Sequence, residues 1–356
     1  MTMPTLPFKL RPSAMILMLL WGFTRPAAAQ PLNATIGENL PRDVRELYDR
    51  GLQYLVATQS ENGEWPAGGG EQGAGVTGMA LMVFLASGED PNFGLYANGV
   101  RRSLRKIISG QDPATGYLGG SMYHHGFGLL ALAEAYGPVD DRQLWSDPSA
   151  KNQRSIGAAL ELAVRAAITA QKKNPIGAWR YSPNATDADT SVSGAVLVGL
   201  LAARNAGIEV PDESIDKGIT YYVKMTSPSG QVAYTGGLGG FDESLSRISI
   251  GTLVYSVARR KDLPQYKWTL ENLKQKSDSP GTPGGYAEYQ RYYQAQALFQ
   301  GDVKAWEKWN KLLIRQLKGA QQPDGSFKGQ FGPVTSTTLS LLALALNYRF
   351  LPIYER

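Results

Sequence analysis

One short pattern recurs along most of the sequence. A glutamine is followed, four to six residues later, by a glycine and an aromatic side chain, as in QSENGEW (59–65) and QQPDGSF (321–327). Further copies, two of them weaker, lie at Gln111, Gln171, Gly230 and Tyr286. The average step between copies is about 52 residues, and a period of that length indicates a stacked array of one supersecondary unit.

Two kinds of helical pattern flank each copy of this motif. The stretch VRRSLRKIIS (100–109) keeps one charged face, whereas GVTGMALMVFLASG (75–88) is apolar nearly all round. The first pattern predicts a half-buried outer helix and the second a buried inner helix. Six such hairpins predict an all-α fold, an α6/α6 toroid in which twelve helices form a double ring. The motif itself predicts tight glycine turns, with glutamine and aromatic side chains that join adjacent hairpins.

The N-terminus has the features of a secretory signal peptide. Lys9 and Arg11 precede the apolar run 14–23, and the small residues 27–29 offer a cleavage site. We therefore expect a signal peptide over 1–29, an extension over 30–46 and a single toroid domain over 47–356. The apolar run is short for a membrane span, so we expect an exported, periplasmic or extracellular protein without a stable transmembrane span; a retained anchor is the alternative.

Charge and cysteine content exclude several classes of protein. Cleavage after residue 29 removes three basic residues and no acidic ones, which lowers the formal charge from +5 to +2. So small a charge gives no basis for nucleic-acid binding, which needs basic clusters. The chain has no cysteine, so it forms no disulfides and its core alone must hold it.

The repeated motif resembles the QW repeat of the terpene cyclase and prenyltransferase superfamily. The resemblance covers about Leu47 to Arg356, and GAWRYSPNATDADTSVSG (177–194) is similar to exported, squalene-cyclase-like repeat proteins of bacteria. It implies an α6/α6 toroid with a cavity along its axis. Zinc prenyltransferases of this superfamily bind the metal through Asp, Cys and His. This chain lacks cysteine, and its two histidines, His124 and His125, would point about 100° apart on a helix. We therefore expect no metal and no cofactor.

The cyclase branch of the superfamily protonates its substrate through the middle acid of a DxDD motif. The corresponding string here is Asp187-Ala188-Asp189-Thr190, with threonine in place of the last acid. The resemblance implies Asp189 as the proton donor, with Asp187 and Thr190 orienting it. The alternative is that these residues cap the helix that follows, because Asp, Ser and Thr are preferred N-caps.

Polar and aromatic residues precede or begin the predicted inner helices. If these helices run in one direction, their N-termini gather at one rim of the toroid. The predicted ligand-binding residues of this rim are His124, His125, Asp242, Glu243, Arg247, Tyr289, Tyr292 and Tyr293. Their mixed chemistry suits a small molecule, a peptide, a glycan or a polar-headed lipid.

Three functions remain open from sequence. We prefer non-catalytic binding of a hydrophobic or polar-headed ligand, which a shallow polar groove would favour. A class II terpene cyclase or isomerase would show a deep, closed aromatic cavity ending at Asp189. A carbohydrate-active enzyme would show two carboxylates facing each other across a groove, such as Asp187 or Asp189 with Asp242 or Glu243.

Overall fold

The computed structural model describes residues 40–65, 73–142, 144–145, 153–236, 243–278, 280 and 286–354. These residues lie in one compact unit, Ile36–Arg356. The predicted signal peptide, most of the predicted extension and Asp242 lie outside the described residues. No helix within the described ranges is long and apolar enough to cross a bilayer.

The described residues form twelve α-helices in two concentric rings, and the predicted toroid is confirmed. The outer helices are α1 (Arg42–Thr58), α3 (Ala97–Ser109), α5 (Ile156–Lys173), α7 (Asp212–Met225), α9 (Pro264–Gln275) and α11 (Val303–Ala320). The inner helices are α2 (Ala74–Leu85), α4 (Met122–Ala135), α6 (Thr190–Asn205), α8 (Leu245–Val257), α10 (Ala287–Gly301) and α12 (Pro333–Ala345). A short 3-10 helix, Pro352–Tyr354, follows α12.

Burial separates the two rings as the patterns predict. Every residue of α2 is buried, whereas α3 buries an apolar stripe that includes Val100, Leu104 and Ile107 and leaves its basic residues nearer solvent. An apolar stripe at this spacing needs cover on one side only, so α3 lies outside. A helix that is apolar all round needs cover on every side, so α2 lies inside.

The ring closes between the last hairpin and the first. Helix α12 packs on α2, and α11 packs on α1. The Gln321 side chain donates to the Leu47 carbonyl at 2.9 Å, and the Lys318 ammonium lies 2.7 Å from the Asp43 carboxylate. Residues 274 and 275 positions apart are thus joined, and the array forms an annulus, not an open superhelix.

The motif glutamines join neighbouring hairpins. Gln59 donates from its amide nitrogen to the Gly63 carbonyl of its own turn and to the Gly99 carbonyl of the next outer helix, both at 3.2 Å. The same double contact, own turn and next outer helix, is made by Gln111, Gln171 and Gln321. Since each bond satisfies a main-chain carbonyl at the junction, the predicted joining role of the glutamines is confirmed.

The motif tryptophans act within a hairpin, which corrects the prediction that they tie adjacent units. Trp65 donates from Nε1 to the Leu55 carbonyl of its own outer helix at 2.8 Å and packs on Phe84 of its own inner helix. The glycine between glutamine and aromatic makes the close approach instead. Gly63 has φ +85°, and a Cβ there would lie 2.2 Å from the Arg102 carbonyl oxygen of the next hairpin.

The C-terminal segment covers one end of the axis. Leu351 and Ile353 are buried, and the Ile353 N–H donates to the Glu134 carboxylate of α4 at 3.3 Å. Across the ring, Gln300 of α10 donates to the Ile353 carbonyl at 3.4 Å. This end holds the C-termini of the inner helices, so the predicted site residues gather at the other end.

Candidate functional site

The axis of the ring is filled by aromatic side chains. Tyr289, Tyr292 and Tyr293 lie on one face of α10 and point inward, with ring centroids 4.8 Å apart for both pairs that include Tyr293. Tyr123 of α4 lies 6.0 Å from Tyr289, and Phe127 lies 5.9 Å from Tyr292. Burial raises the pKa of these tyrosines well above its ordinary value, so their hydroxyls stay protonated. Among the described residues, this column of rings takes up the space along the axis at this level of the ring.

A small pocket remains where this column meets the N-terminal rim. Its volume is about 50 Å³, against roughly 300–1,000 Å³ for sites that enclose a drug-sized ligand. We call it the mouth pocket, and it is lined by Gly75, Val76, Met79, Tyr123, His124, Phe127, Tyr289, Phe331, Thr335 and Leu339. The first turns of four inner helices thus meet here, as the predicted rim requires. Of the predicted ligand-binding residues, His124 and Tyr289 line the mouth pocket, whereas Tyr292 and Tyr293 lie deeper in the column.

The two adjacent histidines have different environments. His125 is fully buried, its Nδ1 accepts from the Leu118 N–H at 3.2 Å, and its Nε2 lies 3.0 Å from the Ala163 carbonyl. This pattern assigns the proton to Nε2, because Nδ1 faces a donor. Burial lowers the pKa of His125 to about 4, so the ring is neutral. Both ring nitrogens of His125 are hydrogen-bonded to the main chain, so this residue has a structural role. Of the two histidines, His124 lines the pocket.

Asp189 is the N-cap of α6. Its Oδ1 accepts from the Val192 N–H at 2.7 Å, as the capping interpretation expects. Its side chain is fully buried, and burial raises its pKa to about 6, although the Val192 N–H and the Arg180 charge act in the opposite direction. Its Oδ2 has no hydrogen-bond partner among the described residues. Capping therefore uses only one of the two carboxylate oxygens.

Arg180 covers this carboxylate. Its Nε lies 3.5 Å from Oδ2 of Asp189, and its Nη1 lies 3.1 Å from Oδ2 of the exposed Asp187. The guanidinium carbon lies 5.8 Å from the Tyr181 ring centroid and 5.6 Å from that of Tyr234, and the two tyrosine hydroxyls are 3.2 Å apart. We call Arg180, Tyr181 and Tyr234 the arginine clamp.

Sequence reasoning missed the arginine clamp. Arg180 and Tyr181 directly follow the motif residue Trp179, so a basic–aromatic pair beside the acidic string was a usable signal. Tyr234 lies in the next motif turn, over 50 residues away, and no local pattern pairs it with Arg180. The same turn engages Thr190, whose N–H donates to the Tyr234 carbonyl at 3.0 Å and whose hydroxyl donates to the Ala233 carbonyl at 2.9 Å. Thr190 therefore holds the turn at Ala233 and Tyr234 in place. Its hydroxyl donates to the Ala233 carbonyl and not to the Asp189 carboxylate.

The remaining predicted residues lie at the α8 end of the rim. Glu243 is exposed and lies 2.6 Å from the Lys276 ammonium, and Arg247 donates to the Val232 carbonyl at 2.9 Å. Asp187 and Asp189 converge on a single guanidinium. Of their predicted partners across a groove, Asp242 lies outside the described residues and Glu243 pairs with Lys276.

Comparisons with known proteins agree with the architecture. No family model and no curated protein matches the chain. An α-1,6-mannanase from Salegentibacter sp. HEL1_6 superposes with a TM-score of 0.64 at 9% identity, covering 86% of this chain and 99% of the mannanase. A type II terpene cyclase from Scytonema gives 0.59 at 13%, covering 87% and 99%. An α-amylase from Clostridium perfringens gives 0.56 at 13%, covering 86% and 98%.

The chain has the α/α-toroid fold. The fold implied by the resemblance to terpene cyclases is confirmed, because a type II terpene cyclase shares that fold over nearly its whole length. Identities this low carry no chemistry from one protein to another, since one fold hosts many unrelated activities. The function must therefore be argued from the site itself.

Proposed function

We propose that this protein is an exported, non-catalytic binding protein that takes the end of an apolar ligand into the mouth pocket. The observation that carries the proposal is the filled axis. Tyr123, Tyr289, Tyr292 and Tyr293 occupy the space in which an enclosing cavity would lie, and among the residues that the structure describes the mouth pocket leaves about 50 Å³ open beside them. A liquid water occupies about 30 Å³, so the pocket has room for a small terminal group and not for a folded polyprene.

The lining of the mouth pocket sets the chemical class of ligand. Val76, Met79 and Leu339 provide apolar walls, and His124 and Thr335 add polar groups beside them. Such a mixture favours an apolar end group whose neighbouring polar head stays at the rim. A polar-headed lipid satisfies both requirements.

A filled-pocket variant tests this proposal. Val76→Phe places a ring in the pocket, and Val56→Phe makes the same change on the exposed surface of α1 as a matched control. The mature forms of both variants and of the wild type are incubated with a total bacterial lipid extract and separated from unbound lipid. The lipid that stays bound is identified by mass spectrometry. The wild type and Val56→Phe should retain the same lipid, and Val76→Phe should lose it. Equal retention by all three proteins, or by none, would contradict the proposal.

A cyclase is the second candidate, because Asp189 is a buried acid with a pKa raised to about 6. A variant of the Scytonema cyclase, which shares this fold, has been solved in complex with the substrate geranylgeranyl dihydroxybenzoate. Two features of this chain oppose the same role here. Asp189 does not line the mouth pocket, and Arg180 stabilises the ionised carboxylate, which cannot give a proton.

Export is the other part of the proposal. The signal-peptide pattern over 1–29 supports it. Expression of the full chain in a secreting bacterium, followed by N-terminal sequencing, should show a mature protein outside the cytoplasm that begins at Gln30. Recovery of the intact chain from the cytoplasm would contradict export, and recovery from the membrane with residue 1 retained would identify an anchor.

A further inference from the structure

The arginine clamp lies at the junction of the third and fourth hairpins and is held there by main-chain contacts. Asp189 pairs with Thr235 in an isolated antiparallel bridge, and the Thr190 N–H donates to the Tyr234 carbonyl at 3.0 Å. These contacts fix the two motif turns that carry Tyr181 and Tyr234. Side chains on turns held in this way are pre-organised, which lowers the entropy lost when a ligand binds.

Two deeply buried polar atoms at this junction have no hydrogen-bond partner within the part of the chain that the structure describes. They are Oδ2 of Asp189 and the hydroxyl of Tyr221, in side chains that are 0% and 5% exposed. After burial itself, the charge of Asp189 is the largest influence that raises the pKa of Tyr221, so the two groups share one electrostatic environment. Buried polar atoms are nearly always satisfied, and leaving one unsatisfied costs about 1–3 kcal/mol. The Arg180 guanidinium, 3.5 Å from Oδ2 of Asp189, compensates the charge of that oxygen. The Tyr221 hydroxyl has no such partner among the described residues, and it therefore indicates a polar group that binds from outside the chain.

We propose that the arginine clamp, with Asp189 and Tyr221, is a binding subsite for a neutral saccharide. A sugar hydroxyl is both donor and acceptor, so it can donate to Oδ2 of Asp189 and accept from the Tyr221 hydroxyl. The Arg180 guanidinium offers further donors and the exposed Asp187 further acceptors. Tyr181 is half exposed, and its ring offers a face on which the C–H side of a pyranose packs.

Charge at the subsite favours a neutral ligand. The positive charge of Arg180 is already balanced by the carboxylates of Asp187 and Asp189, so it does not favour an anionic ligand. A cationic ligand would compete with the Arg180 guanidinium for the faces of Tyr181 and Tyr234. A neutral polyol needs neither charge and matches the mixture of donors and acceptors.

Two variants test the subsite. The mature protein is screened against an array of neutral and acidic oligosaccharides, and the strongest neutral binder is titrated by calorimetry, with an expected Kd of about 1 mM or tighter. Tyr181→Ala removes the exposed ring and should weaken binding about tenfold or more. Tyr221→Phe removes one buried hydroxyl without changing shape and should weaken binding about fivefold. Tyr136→Ala is the matched control, an exposed tyrosine at the other end of the ring.

Several outcomes would overturn the subsite. These are no neutral oligosaccharide bound, an acidic glycan bound in preference, or a neutral one bound equally by Tyr181→Ala and Tyr221→Phe. If Tyr221→Phe changes stability but not saccharide binding, the hydroxyl serves a buried water only, and the subsite is refuted. The mouth-pocket variant Val76→Phe should bind the saccharide normally, so this test and the lipid test can fail separately.

Discussion

Nε of Arg180 lies 3.5 Å from Oδ2 of Asp189, and the same guanidinium reaches Asp187. The buried acid thus experiences two opposed effects. Burial raises its pKa to about 6, whereas the cation and the capped helix N-terminus favour the ionised form. At neutral pH the carboxylate is therefore mostly ionised, a state suited to accepting hydrogen bonds and not to protonating an alkene.

Asp189→Asn should remove a specific component of the pH dependence of stability. The folded pKa of about 6 lies above the ordinary value of 3.8, so the native state binds the proton more tightly than the unfolded state. The stability this provides is present below pH 4 and is lost as pH rises through 6, by roughly 3 kcal/mol. Asparagine keeps the N-cap and does not titrate. Relative to wild type, the variant should gain stability between pH 4 and pH 7 in urea unfolding. If the difference in unfolding free energy between Asp189→Asn and wild type did not change between pH 4 and pH 7, the assignment would be contradicted.

His125→Gln should change the pH profile in the opposite direction. The folded pKa of about 4 lies below the ordinary value of 6.5, so the unfolded state takes up the proton first. The stability this provides is present above pH 6.5 and lost as pH falls through 4, by roughly 3 kcal/mol. Glutamine can keep the donation to the Ala163 carbonyl but does not titrate. The variant should be less sensitive than wild type to acid between pH 6.5 and 4 in urea unfolding. An unchanged acid sensitivity would show that His125 is not the neutral, buried group described here.

Two glycines six positions apart, near the end of the chain, should respond oppositely to alanine. Gly325 has φ +89°, and a Cβ there would lie 2.2 Å from the Arg50 carbonyl oxygen of the first hairpin. Gly325→Ala should therefore destabilise by about 2–4 kcal/mol, measured by urea unfolding. Gly319 lies within α11 with nothing near its Cβ position, so Gly319→Ala should stabilise by about 0.5–1 kcal/mol. Equal effects would mean that the last turn does not contact the first hairpin.

Gln321→Ala should weaken ring closure. It removes the bonds to the Leu47 and Gly325 carbonyls and should cost about 1–2 kcal/mol in the free energy of unfolding. Gln322→Ala is the matched control, because that side chain donates to the Ala320 carbonyl two residues away and should change stability by less than about 0.5 kcal/mol. If Gln321→Ala lowered the free energy of unfolding by no more than Gln322→Ala does, Gln321 would not contribute to ring closure.

The architecture could be predicted because each hairpin carries the same short sequence motif. The glutamine, glycine and aromatic spacing around Gln59 and Gln321 specifies one turn and its contact with the next hairpin, and six repetitions determine the ring. Whether the ring encloses a cavity along its axis could not be predicted in this way. Tyr289, Tyr292 and Tyr293 share a helix face by spacing alone, but whether that face borders a cavity or fills it depends on Tyr123 and Phe127 from the opposite side.

The candidate site was predictable in part for the same reason. Asp189 could be predicted as a cap from its position before an apolar helix, and it caps α6. Its electrostatic environment depends on Arg180, and the position of Arg180 depends on Tyr234 from another repeat. Contacts between repeats follow from the closed ring and from no local sequence pattern.

The most direct test of the binding function is a turnover measurement. The mature wild type and Asp189→Asn are incubated with squalene, with shorter polyprenes and with the lipid extract, and both the bound and the released molecules are identified by mass spectrometry over time. The filled axis predicts that bound lipid is recovered chemically unchanged from both proteins and that no cyclised product accumulates. Cyclised product that increases with time in the wild type and is absent with Asp189→Asn would contradict a binding function and establish a cyclase.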